Sequence, residues 1–285
     1  MSEPLFEIVP NLSEGRDSRP IDEAVALVEK AGARVLHRTS DAAHHRSVIT
    51  AVGGGEAVLA ASVALAGFAA ERIDLREHRG VHPRIGALDV LPFVPLDGAT
   101  MEQAAELAHR AGRQIWERHH VPSFYYGSAA RRDARRLLAN VRKGEFEGLY
   151  ARFPHHPPDE GDVAAHASAG AIAIGARPLL VAFNVVLETG DLAAARMLAR
   201  RLREGGGGLR TLRALAFRLA PGRVQLSFNL TDYRATPLHR VVAMVRTLAA
   251  ADGISAGRGE LIGCLPRDAV EASASFYLGV LEPAS

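Results

Sequence analysis

A single cysteine, Cys264, occurs in 285 residues. No intrachain disulfide can form, and no zinc centre can be built on cysteines. Aromatic residues are scarce, at 6%, and are not interleaved with arginine in the runs that stack on bases. The arginines are spread along the chain instead of gathered into basic blocks, and the formal net charge is only +2. That excludes a dedicated nucleic-acid surface while allowing a local pocket for a small polyanion. Long apolar runs are missing too. The most apolar segment, 57–70, is too short to span a bilayer and ends in Glu71 and Arg72. The N-terminus carries Glu3 where a secretory signal would carry basic residues. These absences predict a cytoplasmic protein with neither membrane nor nucleic acid among its partners.

What is present is an ordinary globular composition, 48% apolar and 23% charged, in a chain long enough for two domains. Short β-rich runs alternate with amphipathic helical patterns. Strands are predicted over 5–9, 34–39, 47–52, 88–94 and 123–126, with helices over 20–31, 56–70 and 100–118. The last of these starts at Thr100 with Gln103 three residues on, the pattern of a capping box. After a Pro-, His- and Gly-rich stretch at 154–161 the order begins again. Strands are predicted over 179–187, 211–219, 223–230 and 260–262, and helices over 192–204, 237–251 and 266–278. Both halves thus read β-α-β-β-α-β followed by a helix. The predicted class is α+β, with two ferredoxin-like (split βαβ) α/β sandwich subdomains, 1–177 and 178–285, each a mainly antiparallel sheet covered on one face.

The stretch with the most chemistry is E-H-R-G-V-H-P-R-I-G-A-L-D-V-L-P-F-V-P, residues 77–95. It places two histidines, two arginines and an aspartate at the mouth of an apolar strand, where sites are commonly built. His78 and His82 stand at i and i+4, but Gly80 and Pro83 oppose the continuous helix that a metal pair would need. His78 reads as a hydrogen-bonded structural residue. Gly53, Gly54 and Gly55 lead from strand to helix without the Lys-Ser/Thr of a phosphate loop, and Gly205–Gly208 reads as a surface loop. The pairs His119-His120 and His155-His156 diverge on regular elements and make poor metal sites. The run 11–16, N-L-S-E-G-R, either turns the chain into the next helix or lines a site at the strand's end.

Several longer runs resemble the formiminotransferase family, which comprises glutamate formimidoyltransferase and the transferase part of formimidoyltransferase-cyclodeaminase. They are V-P-N-L-S-E-G-R (9–16), H-P-R-I-G-A-L-D-V-L-P-F-V-P (82–95), G-E-F-E-G-L (144–149), G-A-R-P-L-L-V-A-F-N (175–184), Q-L-S-F-N-L-T-D-Y (225–233) and L-I-G-C-L-P (261–266). They occur in order along nearly the whole chain. The resemblance implies two subdomains enclosing a shared cleft for a folate and a glutamate derivative, in a homodimer. It implies transfer of the formimino group from N-formimino-L-glutamate to tetrahydrofolate, a late step of histidine breakdown. Tetrahydrofolate is then a cosubstrate, and no metal or redox cofactor is expected. The deaminase part of the bifunctional relatives is expected to be absent.

The family's catalytic histidine falls on His82. Its folate-contacting segment falls on Gly161, Asp162, Val163, Ala164, Ala165, His166, Ala167, Ser168, Ala169 and Gly170. An imidazole with a pKa near ~6.5 suits the chemistry, because the attacking N5 must lose a proton and the departing amine must gain one. Asp89 is a second catalytic candidate, for orienting His82 or binding the amidinium. A structural carboxylate at the strand's start is an equally good reading of it. Arg46 and Arg84 are candidates for binding the substrate's carboxylates, which suit a guanidinium fork.

Three positions depart from the family pattern. Val81 stands where relatives carry an acid beside the histidine, His37 where many have aspartate, and His45 where many have asparagine. A missing carboxylate at 81 bears on the pKa of His82. Two alternatives follow: a diverged folate-dependent one-carbon transferase using another amine donor, and a non-catalytic folate-binding homologue. A metal-dependent hydrolase built on His78 and His82 lacks both a helix and a third ligand.

Overall fold

In the computed structural model, residues 3–42, 44–80, 83–162 and 166–279 are described. The chain divides into two units, Met1–Pro178 and Leu179–Ser285.

The first unit is built on one sheet. It contains β1 (Leu5–Ile8), β2 (Asn11–Leu12), α1 (Ser18–Lys30), β3 (Arg34–Asp41), β4 (Arg46–Gly54), α2 (Gly55–Arg72), β5 (Leu88–Pro95), α3 (Met101–His119) and β6 (Ser123–Gly127). The short helices α4 (Leu138–Val141) and α5 (Leu149–Arg152) precede β7 (Ile172–Ala176). Local chemistry sets the helix starts. Asp17 caps α1 by accepting the Arg19 N–H, and Thr100 and Gln103 form the predicted capping box of α3. Helix α2 is buried almost all round, through Val58, Leu59, Ala61, Val63, Leu65, Ala66 and Ala69. It accordingly packs between α1 and α3, the place for a helix with little polar face.

The strand predicted over 5–9 is β1, and an unpredicted second strand, β2, follows within the run 11–16. Pro10 has no N–H to give the ladder, so pairing lapses between β1 and β2, while its carbonyl accepts the Ile49 N–H at 3.1 Å. Strands β1 and β2 lie between β4 and β5, antiparallel to both, and β3 pairs with β4 at the edge. Beyond β5 come β7 and then β6, joined by parallel pairings. The sequence reading had no strand at β7. A five-residue apolar run with an internal glycine carries too little alternation to be recognised by period.

The second unit contains β8 (Val181–Glu188), α6 (Leu192–Leu202), β9 (Leu212–Ala220), β10 (Arg223–Leu230), α7 (Leu238–Ala251), β11 (Ser255–Ile262) and α8 (Arg267–Leu278). Its sheet runs β11-β8-β10-β9 and is antiparallel throughout. Counting β1 and β2 as one strand, the first four strand positions of the other sheet follow the same sequence of neighbours, fourth-first-third-second. Val181, Val185, Leu187, Leu226 and Phe228 meet Leu198, Leu202, Val241 and Val245 in a core separate from that of the first unit. Among the described residues, no helix is long and apolar enough to cross a membrane.

Candidate functional site

Between α2 and β5 the described residues, 73–80 and 83–87, are tied down at several points. Leu75 N–H donates to Ser168 O at 2.9 Å, Ala87 N–H to Ala169 O at 2.9 Å, and Ala171 N–H to Ile85 O at 2.9 Å. The two strips approach so closely that a Cβ at Gly86 would overlap Ala171 O, and one at Gly170 would overlap Ile85 O. On the other side, Phe146 N–H donates to Arg84 O at 2.8 Å. Segments around 75, 84–87, 144–149 and 166–171 are therefore one assembly, held by main-chain bonds between residues far apart in sequence.

A pocket of about 730 Å³ opens in this assembly, lined by Leu75, Arg76, His78, Arg79, Gly80, Arg84 and the 144–147 turn. Arg84 organises its floor. Its Nη1 and Nη2 donate to the two carboxylate oxygens of Glu147 at 2.9 and 2.8 Å, and its Nε donates to His78 Nδ1 at 3.0 Å. Glu145 lies 3.5 Å from the same guanidinium. Through its other nitrogen, His78 donates from Nε2 to the His45 carbonyl at 2.9 Å. The His45 and His78 rings sit 4.4 Å apart, and His45 Nδ1 accepts the Gly15 N–H at 3.2 Å. Burial, more than any neighbouring charge, holds both imidazoles below the usual histidine pKa. The Arg84 fork holds the Glu147 carboxyl below its ordinary range.

The sequence-predicted residues fall as follows. His82 and Val81 lie outside the described residues, as do Val163, Ala164 and Ala165; Pro83 and Arg84 follow directly. Arg84 is buried, and its fork is occupied by Glu147. Asp89 is 1% exposed, accepts the Ile85 N–H at 2.8 Å and is ion-paired with Arg142. Arg46 begins β4, with burial and the charge of Arg142 lowering its pKa. In the segment read as folate-contacting, Gly161 packs on Pro122 and Trp116 with φ at 109°. Asp162 is exposed. His166 Nδ1 accepts the Ala169 N–H at 3.1 Å, and its main chain exchanges both bonds with Gly170. His37 pairs with Thr50 on the edge strand. The structure thus brings Ser168, Ala169 and Gly170 against the 75 and 85–87 segments.

Two family models cover the chain. That of the "Formiminotransferase domain, N-terminal subdomain" matches residues 5–177, and that of the "Formiminotransferase domain" matches 182–282. The chain belongs to the formiminotransferase family. A glutamate formimidoyltransferase of Streptococcus pyogenes serotype M1 is 36% identical over 280 residues, covering 97% of this chain and 94% of that protein. One from Thermoplasma acidophilum is 39% identical over 282 residues, with 96% and 92% covered. The formimidoyltransferase-cyclodeaminase of Gallus gallus is 37% identical over 285 residues, matching 96% of this chain but 52% of the longer relative.

Within this formiminotransferase chain, sequence reasoning gave no role to Glu147 or Arg142. Glu147 lay inside the quoted G-E-F-E-G-L run, and Arg142 stands two residues before it. The signal for Glu147 was the run itself, in which two glutamates stand between glycines. The partners of Glu147 and Arg142, Arg84 and Asp89, lie more than fifty positions away and could not be inferred from spacing.

Proposed function

We propose that this protein transfers the formimino group of N-formimino-L-glutamate to tetrahydrofolate, giving 5-formiminotetrahydrofolate and L-glutamate. The observation that carries this reading is the match, end to end, to proteins named glutamate formimidoyltransferase at 36% and 39% identity. N5 of the folate attacks the electrophilic formimino carbon and loses its proton. The tetrahedral intermediate then breaks the bond to the glutamate nitrogen, which gains one. No oxidation state changes, so the reaction requires proton transfer and positioning, with tetrahydrofolate as cosubstrate.

His82 is proposed as the acid/base for both transfers, since an imidazole titrates near neutrality. In sequence it stands two residues before Arg84, and the described segments 84–87 and 168–171 are hydrogen-bonded to one another; 168–170 is proposed to contact folate and Arg46 to receive a substrate carboxylate. Both units are read as variants of the ferredoxin-like split βαβ, the first extended by two further strands. A cytoplasmic homodimer goes with this reading, and light scattering on the purified protein tests the dimer. The activity itself is tested by mixing protein, N-formimino-L-glutamate and tetrahydrofolate. Formation of 5-formiminotetrahydrofolate supports the assignment; no product at saturating substrates overturns it.

A further inference from the structure

Glu145 stands in a backbone conformation that a glutamate rarely adopts. Its φ is 54°, in the left-handed region, directly after Gly144 at 84°. Asparagine, aspartate and histidine are the side chains enriched there, the short ones because they can bond to nearby backbone. The conformation is imposed from both sides. Glu145 N–H donates to Arg142 O at 2.9 Å, Phe146 N–H to Arg84 O at 2.8 Å, and Gly148 N–H to Gly144 O at 2.8 Å. Phe146 is buried, and a Cβ at Gly170 would come within 3.0 Å of its ring. Strain held in this way collects at functional sites.

What the turn presents is a carboxylate with spare capacity. Among the described residues its ionic partner is Arg84, at 3.5 Å, the limit of a hydrogen bond. Arg84 already holds both Glu147 oxygens in its fork. Glu145 is half-exposed and lines the pocket of about 730 Å³. Arg79 lines the same pocket and donates from Nη1 to the Arg76 and His78 carbonyls at 3.0 and 2.9 Å. Among the described residues no ion pair joins Arg79 to a carboxylate, whereas Arg76 is paired with Asp74.

With Arg84 matched by Glu147 and Arg76 by Asp74, the pocket keeps one carboxylate and one guanidinium for a ligand. A molecule carrying both a cation and an anion suits it better than a simple anion. A formamidinium is planar and directs N–H groups from its two nitrogens in parallel, the counterpart of the two oxygens of a carboxylate. A formyl group in its place would turn an oxygen toward that carboxylate, acceptor against acceptor. Asp89 is closed to this task, being buried and ion-paired with Arg142.

We propose that Glu145 holds the formamidinium of the donor and Arg79 one of its carboxylates, which makes Glu145 the residue that selects a formimino over a formyl donor. The proposal rests on the transferase function given above. It sets the donor beside the acceptor, because the ring of Phe146 packs on Gly170, in the segment proposed to contact folate.

The test is calorimetric titration of the full chain with N-formimino-L-glutamate and N-formyl-L-glutamate, followed by steady-state kinetics with tetrahydrofolate. Glu145→Gln keeps the size and removes the charge. It is expected to weaken the formimino ligand by about tenfold or more and to leave the formyl ligand unchanged. Arg79→Gln removes a partner common to both and should weaken them by similar factors. In Glu145→Gln, KM for the donor rises while kcat and its pH profile change little, whereas an acid–base role would move that profile. Should Glu145→Gln fail to fold, Glu145→Asn gives the same reading with a residue that suits the left-handed backbone. Equal affinity of the parent protein for the two ligands, or no binding of either at about 10 mM, overturns the proposal. So does an unchanged preference in the Glu145 variant, or unmoved affinities in Arg79→Gln. A Glu145-dependent preference without product formation would keep the subsite and sink the transferase reading. Product formation with the preference unmoved in Glu145→Gln would do the reverse.

Discussion

Arg84 Nε donates to His78 Nδ1 at 3.0 Å, a side-chain link between two residues six apart in sequence. Because Nδ1 accepts, the ring proton sits on Nε2, where it reaches the His45 carbonyl at 2.9 Å. A second proton on His78 would face the arginine with a donor and a positive charge. The clasp therefore requires neutral imidazole. His78 thus has the structural role expected of it, with the added consequence that it fixes a neighbour of the proposed catalytic position.

The first prediction concerns pH. His78 and His45 both have folded pKa values pushed down by burial, so between the folded value and about 6.5 the unfolded chain binds more protons than the native one. Their contribution to stability is constant above about pH 6.5 and falls as pH drops through the window between that value and the depressed folded values. Urea unfolding midpoints measured from pH 7.5 downward should decline through this window. His78→Gln, which titrates nothing, should flatten the decline; an unchanged slope in that variant would remove His78 as its source.

A second prediction concerns the Glu147 end of the clasp. The Arg84 side chain is 8% exposed and that of Glu147 62%, so the arginine is the partner that suffers when the pair is cut. Glu147→Gln keeps the shape and removes the charge, leaving Glu145 at 3.5 Å as the nearest remaining carboxylate. The expected cost is about 1–2 kcal/mol, the lower part of the range for stranding a buried charged group. Turnover should fall by about tenfold because Arg84, two residues from the proposed catalytic position, loses its anchor. Equal stability and equal kcat in parent and variant would mean that the pair sets nothing.

Much of this architecture was legible in the sequence. Gln103 three residues after Thr100 announced the capping box, and the alternating run at 223–230 gave its strand because a half-buried strand writes its period into the chain. What remained hidden depends on residues that meet only in three dimensions. The bulge at Asp89 arises from registering two β2 residues against three of β5, which neither strand reveals alone. The Arg84–Glu147 fork joins positions sixty-three apart. Arg84 looked like a substrate ligand because a guanidinium fork suits any carboxylate, and in the fold a protein carboxylate takes it.

His82 carries the third prediction. General acid–base catalysis contributes about 10²–10⁴-fold, so His82→Ala should lower kcat and kcat/KM by that much and leave folate affinity nearly unchanged. Single-turnover kinetics paired with folate titration separate the two effects. Near-normal turnover would sink the assignment. Val81→Glu, which places there the acid implied by the family resemblance, should raise the pKa governing turnover through the negative charge on the adjacent residue. Superimposable pH–rate profiles would show that position 81 does not tune the imidazole.

The fourth prediction joins backbone strain to the departure at position 45. His45 sits at φ 51°, in the left-handed region, where asparagine is several-fold enriched and most side chains are strained. The family resemblance puts asparagine at this position in many relatives, and the backbone supplies the reason. The histidine has compensations: Nδ1 takes the Gly15 N–H at 3.2 Å, and the ring packs 4.4 Å from His78. In His45→Asn the amide oxygen can accept the same N–H, and the lost ring contact is offset by relieved strain. Stability near pH 7.5 should therefore change by less than about 1 kcal/mol, the scale of each opposing effect. The acid-side decline should become shallower, because one of the imidazoles whose pKa burial lowers is gone. A loss well above that figure would show that ring packing, not backbone conformation, governs the position. An unaltered acid slope would remove His45 as a source of the pH response.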